Sequence, residues 1–144
     1  MEIIVSKEDH IDIICKLLWQ HFTNQNAYLG MSYYQSNLEI IEKHVKNRII
    51  SNDKTYKYFS MIDENADFIG FVNLLIDNQR GEILVVLYNN KDITVCKNLL
   101  DYGIQYLKNN GVKEIYAESF AGDKFYEDNL VNCNGKLLSQ KWII

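Results

Sequence analysis

The spacing of apolar residues predicts two amphipathic helices in the first third of the chain. In the ranges His10 to Phe22 and Tyr33 to Ile50, apolar side chains return every third or fourth residue, which is the period of one helix face. Ser6 and Asp9 carry side chains that commonly cap a helix N-terminus. Either residue is therefore a candidate cap for the first helix.

Beyond Ile50 the pattern changes to short apolar runs separated by polar turns, which is typical of strands. The run Ile83 to Leu87 is wholly apolar and favours a strand that is covered on both faces. The segment Asp77 to Gly81 predicts a turn, and Gly111 is suited to close a helix at its C-terminus. The predicted strands are Glu2 to Val5, Thr55 to Ile62, Asp67 to Ile76, Glu82 to Tyr88, Val112 to Glu118 and Gly135 to Ile144, and the further helices run from about Asp92 to Asn110 and from Ala121 to about Leu130.

This order of elements predicts an α/β protein. Consecutive strands in the middle of the chain form an antiparallel meander, and the two later strand–helix–strand units require parallel pairing through right-handed crossovers. We therefore expect a mixed, mostly antiparallel central sheet with helices on both faces. The length of 144 residues and the absence of a linker-like stretch indicate a single domain over residues 1–144.

The composition excludes two classes of partner. The formal net charge is -4, so the chain lacks the basic stripe of a nucleic-acid-binding protein. Its apolar runs are far shorter than the about 20 residues that a membrane span requires. Charged residues from Lys7 onward directly follow the first strand, which is unlike a signal peptide. We therefore expect a cytoplasmic protein with neither nucleic acid nor membrane as a partner.

The cysteines and histidines do not indicate a metal site or a disulfide. The cysteines are Cys15, Cys96 and Cys133, and their wide spacing contains no C-x-x-C pair, so we expect reduced thiols. The histidines lie on or near the first two helices, at no spacing typical of metal ligands. The sequence also contains no Gly-x-Ser-x-Gly nucleophile elbow and no Gly-x-x-x-x-Gly-Lys-Ser/Thr phosphate loop.

The second half of the chain carries a more specific pattern. The run Glu82 to Tyr88 is followed by a short polar loop and by the helix around Leu99 to Leu107, and Gly111 to Glu118 supplies the next strand. Phe125-Tyr126-Glu127 then precedes a strand that is led by Gly135. This succession resembles the GNAT family of acyl-CoA-dependent N-acyltransferases, and the resemblance covers most of the chain.

The resemblance implies that acetyl-CoA is the cosubstrate, and the spacing of the histidines indicates that no metal is bound. A helix N-terminus attracts a pyrophosphate because its backbone N–H groups are unpaired. The family approaches that anion with a loop of the form Gln/Arg-x-x-Gly-x-Gly/Ala. The segment that matches this loop by register comprises Lys91, Asp92, Ile93, Thr94, Val95 and Cys96.

This segment departs from the family pattern. Lys91 stands where Gln or Arg is expected, and Thr94 and Cys96 stand where small, glycine-like residues are expected. We expect each of these two side chains to reduce the room for the phosphates, and Asp92 adds a negative charge beside an anion. The alternative is an ordinary strand-to-helix connection in which Asp92 or Thr94 caps the helix.

The resemblance implies two further parts of the cosubstrate site. In the family, the central strand diverges from its neighbour and its backbone pairs with the pantetheine arm. Leu84, Val86 and Leu87 fall at those positions, and we expect their side chains in the core. Ser119 stands where the family often carries an Asn that faces the pantetheine.

The resemblance also implies an acid and a base. Tyr126 matches the family's tyrosine, and a phenol with a pKa near 10 can protonate a leaving thiolate while it stays neutral at physiological pH. Glu82 opens the central strand, where some members of the family carry a base that accepts the proton of the amine. A solvated residue after the turn at Arg80–Gly81 is the alternative for Glu82, and Glu118 and Glu127 are rival bases.

The expected function is therefore N-acetyl transfer from acetyl-CoA to a primary amine, by direct attack in a ternary complex. The acceptor is expected to be a small-molecule or peptide amine, and the amide-rich stretch Asn24 to Tyr34 lies where the family forms much of its acceptor pocket. The alternative is a non-catalytic GNAT-like domain that binds a ligand or a protein and whose CoA loop is degenerate. A homodimer is a third hypothesis, because the chain reaches Ile144 before a hairpin partner for the last strand and would leave a sheet edge open.

Overall fold

A computed structural model describes residues 1–24, 38–88, 92–118, 124–133, 135–137 and 141–144, and within these ranges the side chains of residues 22–24, 93, 118, 124–127, 136–137 and 141–142 lie outside the description. The helices are α1 (Ile11–Asn24), α2 (Leu38–Ile50), α3 (Ile93–Asn109) and α4 (Lys124–Asn132), and a 3-10 turn at Glu8–His10 precedes α1. The strands are β1 (Glu2–Val5), β2 (Tyr56–Ile62), β3 (Phe68–Asp77), β4 (Arg80–Tyr88), β5 (Glu114–Glu118), β6 (Lys136–Leu137) and β7 (Lys141–Ile143).

These strands form one seven-stranded sheet in the order β1-β2-β3-β4-β5-β7-β6. β4 and β5 pair in parallel, and the other registered neighbours are antiparallel. α3 connects the parallel strands, because a parallel pair needs a crossover rather than a hairpin. The prediction of a mixed, mostly antiparallel α/β sheet is confirmed.

Helices cover both faces of the sheet, because successive strand residues point to opposite faces. Tyr58 of β2 packs in one core with Ile14 of α1 and Val45 of α2, and we refer to this side as the α1/α2 face. The next residue, Phe59, packs in the other core with residues of α3 and with Leu130 of α4, and we refer to that side as the α3 face. Helices on both faces were predicted and are confirmed.

The start of α1 differs from the prediction, because neither candidate cap is used. Asp9 lies within the 3-10 turn. The backbone N–H of Lys7 donates a hydrogen bond to Nδ1 of His10 at 3.1 Å, and the Ser6 hydroxyl lies 2.6 Å from the Ser60 hydroxyl on β2. The Ser6 hydroxyl is therefore hydrogen-bonded to β2 instead of capping the helix.

The end of α1 also differs from the prediction. α1 extends to Asn24, two residues beyond the predicted end at Phe22. α2 is described from Leu38, and its predicted start at Tyr33 lies outside the described residues. Residues 121–123, the start of the last predicted helix, also lie outside them.

The turn between β3 and β4 is tighter than predicted. Asp77 pairs with Arg80, so the chain reverses at Asn78 and Gln79, while Arg80 and Gly81 already belong to β4. Asn78 has a φ of 57°, a left-handed conformation that asparagine tolerates and that hairpin turns require.

The last predicted strand is a hairpin rather than a single element. β6 and β7 are antiparallel, with Lys136 opposite Ile143, and β7 is also antiparallel to β5. The prediction of one strand from Gly135 to Ile144 in parallel pairing is therefore wrong. The open edge expected beside the last strand is wrong as well, because β7 lies between β5 and β6. A homodimer stays a prediction.

Candidate active site

The pairing of β4 with β3 contains an irregularity. Asn73 pairs with Val85 and Leu74 pairs with Ile83, so Leu84 is skipped in the register. A β-bulge of this kind bends the strand and redirects the residues beyond it. Leu84 and Val85 are only half-buried, whereas Ile83 is fully buried.

The parallel pairing of β4 with β5 ends at the same place. The last registered pair is Ile83 with Ala117, and β4 continues to Tyr88. In the described part of the chain, the β4 backbone from Leu84 onward therefore has no registered partner on β5. A strand edge can pair with an extended ligand through its backbone groups.

α3 follows this part of β4 in the chain, and Asp92 caps its N-terminus. One carboxylate oxygen of Asp92 accepts hydrogen bonds from the backbone N–H of Thr94 at 2.9 Å and from the Thr94 hydroxyl at 2.8 Å. The pKa of the Asp92 carboxyl is held below its usual range, mainly by the hydrogen bond from the Thr94 backbone and then by the one from the Thr94 hydroxyl. Of the two residues expected as caps in the alternative, Asp92 rather than Thr94 caps this helix.

The side chains of Val95 and Cys96 lie in the core on the α3 face. They are 0% and 1% exposed, respectively, because the helical period turns these positions toward the sheet. The expectation that the Cys96 side chain reduces the room for phosphates is therefore wrong. Thr94 is exposed at the start of the helix. Asp92 and Thr94 are therefore the two residues at the helix N-terminus that still depart from the family's loop pattern.

Glu82 is buried within the sheet, with 8% of its surface exposed. It lies opposite Leu75 of β3 and Tyr116 of β5. The alternative of a solvated residue after a turn is wrong, because β4 already begins at Arg80. The Arg80 guanidinium carbon lies 4.3 Å from the centre of the Tyr116 ring. A cation therefore lies over the residue that is opposite Glu82 on β5.

Asn73 is a buried polar residue that the sequence reasoning did not select. It is 6% exposed, and among the described residues its side-chain oxygen Oδ1 has no hydrogen-bond partner. The sequence feature that could have identified it is its position within the otherwise apolar run Phe71 to Ile76.

The remaining backbone candidates on β4 differ in burial. Val86 is 8% exposed and belongs to the core on the α3 face, as expected of its side chain. Leu87 is half-buried and packs against the core of the α1/α2 face.

Several predicted site residues lie outside the described part of the structure. Lys91, Ser119 and residues 25–34 of the expected acceptor loop are among them, and so are the side chains of Ile93, Glu118, Tyr126 and Glu127. Tyr126 itself belongs to α4. The predicted roles of these residues stay predictions.

The cysteines are suited to packing rather than to nucleophilic chemistry. All are free thiols, and burial raises the pKa of Cys15 to about 12. Burial also raises the pKa of Cys133, with a further contribution from Asp101. Because the thiolate is the reactive form, neither thiol is activated.

Metal ligation and membrane insertion find no support in the described residues. Those residues contain no group of three or more His, Cys, Asp or Glu side chains that could hold a metal ion. No helix among them is long and apolar enough to cross a membrane.

The sheet order, the helices on both faces and the short β4–β5 pairing together define the fold of the GNAT acetyltransferases. No protein-family model and no curated protein matches the sequence, but solved structures match the fold. A GNAT superfamily phosphinothricin acetyltransferase from Sinorhizobium meliloti, in complex with AcCoA, has a TM-score of 0.76 at 14% identity, with 96% of this chain and 76% of that chain covered.

Two further solved structures agree over nearly the whole chain. PaiA N-acetyltransferase from Thermoplasma acidophilum, in complex with coenzyme A, has a TM-score of 0.73 at 15% identity, with 99% of this chain and 97% of that chain covered. Spermidine N-acetyltransferase from Vibrio cholerae, in complex with CoA and spermine, has a TM-score of 0.74 at 11% identity, with 99% and 90% covered. The likeness establishes the fold, and the resemblance to GNAT proteins expected from the sequence is confirmed at that level.

Proposed function

We propose that this protein is an N-acetyltransferase that moves the acetyl group of acetyl-CoA to a primary amine by direct attack in a ternary complex. The observation that carries the proposal is the end of the β4–β5 pairing at Ile83 and Ala117, while β4 continues to Tyr88. An extended thioester arm can pair with a strand edge there. In this proposal residues 1–144 act as one acyltransferase domain.

The proposed cosubstrate site combines backbone groups of β4 with the start of α3. The backbone of Leu84, Val86 and Leu87 would pair with the pantetheine arm, and Ser119 would hydrogen-bond to it. The segment Lys91 to Cys96 would hold the pyrophosphate, because it includes the first N–H groups of α3. Matching structures that contain coenzyme A or AcCoA support acetyl-CoA as the donor.

The proposed reaction forms one C–N bond and breaks one C–S bond. The amine nitrogen attacks the carbonyl carbon of the thioester, Glu82 takes the proton that the amine loses, and the Tyr126 hydroxyl protonates the departing thiolate. No covalent enzyme intermediate is required, in agreement with the raised pKa values of Cys15 and Cys133.

The proposed acceptor is a small-molecule or peptide amine. The spermidine acetyltransferase that shares the fold was solved with spermine, which supports an amine rather than a hydroxyl acceptor. A buried carboxylate at Glu82 is also the type of group that an incoming amine requires as a base.

Thermal unfolding in the presence of acetyl-CoA tests the proposal. A ligand that binds only the native state stabilises it by about 2.7 kcal/mol at a concentration of roughly one hundred times Kd. We expect the unfolding temperature to rise with acetyl-CoA and with CoA, and to stay constant with ATP, which has phosphates but no pantetheine arm. Mass spectrometry of a panel of primary amines then detects the acetylated product. A constant unfolding temperature at saturating acetyl-CoA would contradict the proposal.

A second candidate function is a non-catalytic GNAT-like domain that binds a ligand or a protein partner. The observation that favours it is the Asp92 carboxylate, which already accepts the Thr94 N–H at the start of α3 and would repel a pyrophosphate. The same titration separates the two functions, because this candidate predicts no stabilisation by acetyl-CoA or CoA.

A further inference from the structure

We propose that Asn73 of β3 binds the acceptor amine, together with Glu82 of β4, on the α1/α2 face of the sheet. The inference rests on the proposed acetyl transfer and specifies its acceptor as a protonated primary amine on an aliphatic chain. It assigns to Asn73 a role in acceptor specificity.

The α3 face of the β3–β4 pair is closed to an acceptor. Val72, Leu74 and Ile83 are fully buried there. Gly103 of α3 lies so close to the sheet that a Cβ added to it would be 3.1 Å from Leu74 and 3.4 Å from Val72. Because this packing leaves no space, an amine that reaches the β4 backbone approaches from the α1/α2 face.

Asn73 and Glu82 are neighbours on the α1/α2 face, where both are buried. Asn73 is the registered partner of Val85, and Glu82 is the registered partner of Leu75, which lies two positions from Asn73 on β3. Diagonal neighbours on one face of an antiparallel pair are about 7–8 Å apart, so one small cationic group can contact both side chains. Both residues flank the bulge at Leu84, where the proposed thioester site begins.

The side-chain oxygen of Asn73 is the feature that points to a ligand. The residue is 6% exposed, and across the described ranges its Oδ1 has no hydrogen-bond partner. By contrast, Ser60 on the same face is paired with Ser6 at 2.6 Å. An unpaired buried acceptor is unfavourable, so a donor from a ligand would stabilise this position. The face is accessible beside it, because Val85 is only half-buried.

The two side chains select the chemistry of the ligand. An amide oxygen and a carboxylate both accept hydrogen bonds, so they suit a group that has several donors and a positive charge. A primary ammonium group has both properties. It would give one proton to Glu82 and keep a second N–H bonded to Asn73 Oδ1, which leaves a lone pair for attack. Val85 and Leu87 are half-buried on the same face and suit an aliphatic chain.

Two substitutions of Asn73 test the inference with n-butylamine and spermine as acceptors. Asn73→Leu and Asn73→Ala remove the amide, and we expect each to raise the KM for the amine by about 10- to 100-fold, the range for a hydrogen bond to a charged group. The KM for acetyl-CoA and the stabilisation by CoA should not change. We expect Asn73→Leu to unfold at the same temperature as the wild type or a higher one, because it removes an unpaired polar group. The control Ser60→Ala should lower the unfolding temperature without changing either KM.

An unchanged KM for both amines in the folded Asn73 variants would overturn the inference. If the wild type acetylates neither amine, calorimetric binding of the same amines in the presence of CoA replaces the KM measurement, and loss of binding in Asn73→Leu supports the inference. A wild type that binds acetyl-CoA but neither amine overturns this inference and leaves the proposed function intact. The wild type could also bind the amines in a manner that depends on Asn73 and yet not bind acetyl-CoA. That result overturns the proposed function and leaves the role of Asn73 in amine binding intact.

Discussion

The carboxylate of Asp92 and the backbone N–H of Thr94 are joined by a 2.9 Å hydrogen bond at the N-terminus of α3. An anion built into the chain thus occupies one of the N–H groups that the proposed pyrophosphate site would use. Because the partial positive charge of a helix is confined to its first turn, the carboxylate and a bound phosphate would compete for the same place. In the proposed site, the affinity for acetyl-CoA would therefore depend on how easily Asp92 is displaced.

Replacement of Asp92 by asparagine tests this competition. Asp92→Asn keeps an oxygen that can cap the helix but removes the negative charge, so we expect acetyl-CoA to bind about two- to fivefold more tightly in isothermal titration. The matched control is Asp101→Asn, which removes one charge from the same helix at the exposed pair with Lys97 and should leave the affinity unchanged. An affinity that falls in Asp92→Asn would show that the carboxylate helps the site.

Replacement of Tyr126 by phenylalanine tests its role as the acid. Loss of the hydroxyl should lower kcat by about 10²- to 10⁴-fold and leave the Kd for acetyl-CoA nearly unchanged, because the proton is needed only as the thiolate departs. The control Tyr102→Phe removes a hydroxyl from α3 and keeps the ring that packs on Phe59 at 5.0 Å, so its kcat should equal that of the wild type. Full activity of Tyr126→Phe would assign the proton to another group.

Replacement of Gly70 by alanine tests whether the end of β4 holds the cosubstrate. A Cβ at Gly70 would lie 2.7 Å from the backbone oxygen of Leu87 and 2.7 Å from Cβ of Tyr88, so β4 must move. We expect a stability loss of about 1–3 kcal/mol and weaker binding of acetyl-CoA.

The control for Gly70 is Gly81→Ala, at the other end of β4. Its Cβ would meet the side chains of Leu107 and Val112 at 2.9 Å each, which costs stability but leaves the strand end beyond the bulge in place. Chemical unfolding and acetyl-CoA titration of both variants distinguish the two effects. Equal acetyl-CoA affinity in Gly70→Ala would place the cosubstrate elsewhere.

His10 should make stability depend on pH in the range just below neutrality. Burial lowers its pKa from the usual 6.5, and its Nδ1 accepts the Lys7 N–H, which only the neutral ring can do. The folded state therefore binds fewer protons than the unfolded state as pH falls through this range. The contribution is fully present above the unfolded pKa and is lost as pH falls through the folded pKa.

Urea unfolding at a series of pH values measures this effect. We expect the free energy of unfolding of the wild type to fall from pH 7 toward pH 5. His10→Gln should show a flatter profile, because histidine is the side chain whose usual pKa lies in this pH range. The carboxylates of Asp53 and Asp92, whose pKa values are lowered by backbone hydrogen bonds, lose their contributions only in more acidic solution. Parallel profiles for the two proteins would contradict the role given to His10.

The local pattern of the chain predicted the elements that carry strong periodicity. α3 was predicted between a short polar loop and the closing Gly111, and its residues Leu99, Leu100 and Leu107 are fully buried. β4 was predicted from a continuous apolar run, and β3 and β4 pair as predicted. These elements are readable because the residues that specify each one are neighbours in sequence.

Tertiary pairing decided what the local pattern left open. The final hairpin of β6 and β7 joins the sheet through the pairing of β7 with β5. Ser6 pairs with Ser60, far away in the chain, instead of capping α1. Such contacts join residues of distant segments, so no periodicity within either segment specifies them.

The sequence by itself determined a GNAT-like order of strands and helices and the departure of residues 91–96 from the family's loop. Only the tertiary structure decided that Asp92 is the residue that caps α3, that Cys96 lies in the core, and that Glu82 and Asn73 are buried beside each other on one face. The reason is physical. Helix and strand periods are set by the local backbone, whereas the burial and partners of a polar side chain depend on which strands and helices come to lie against it.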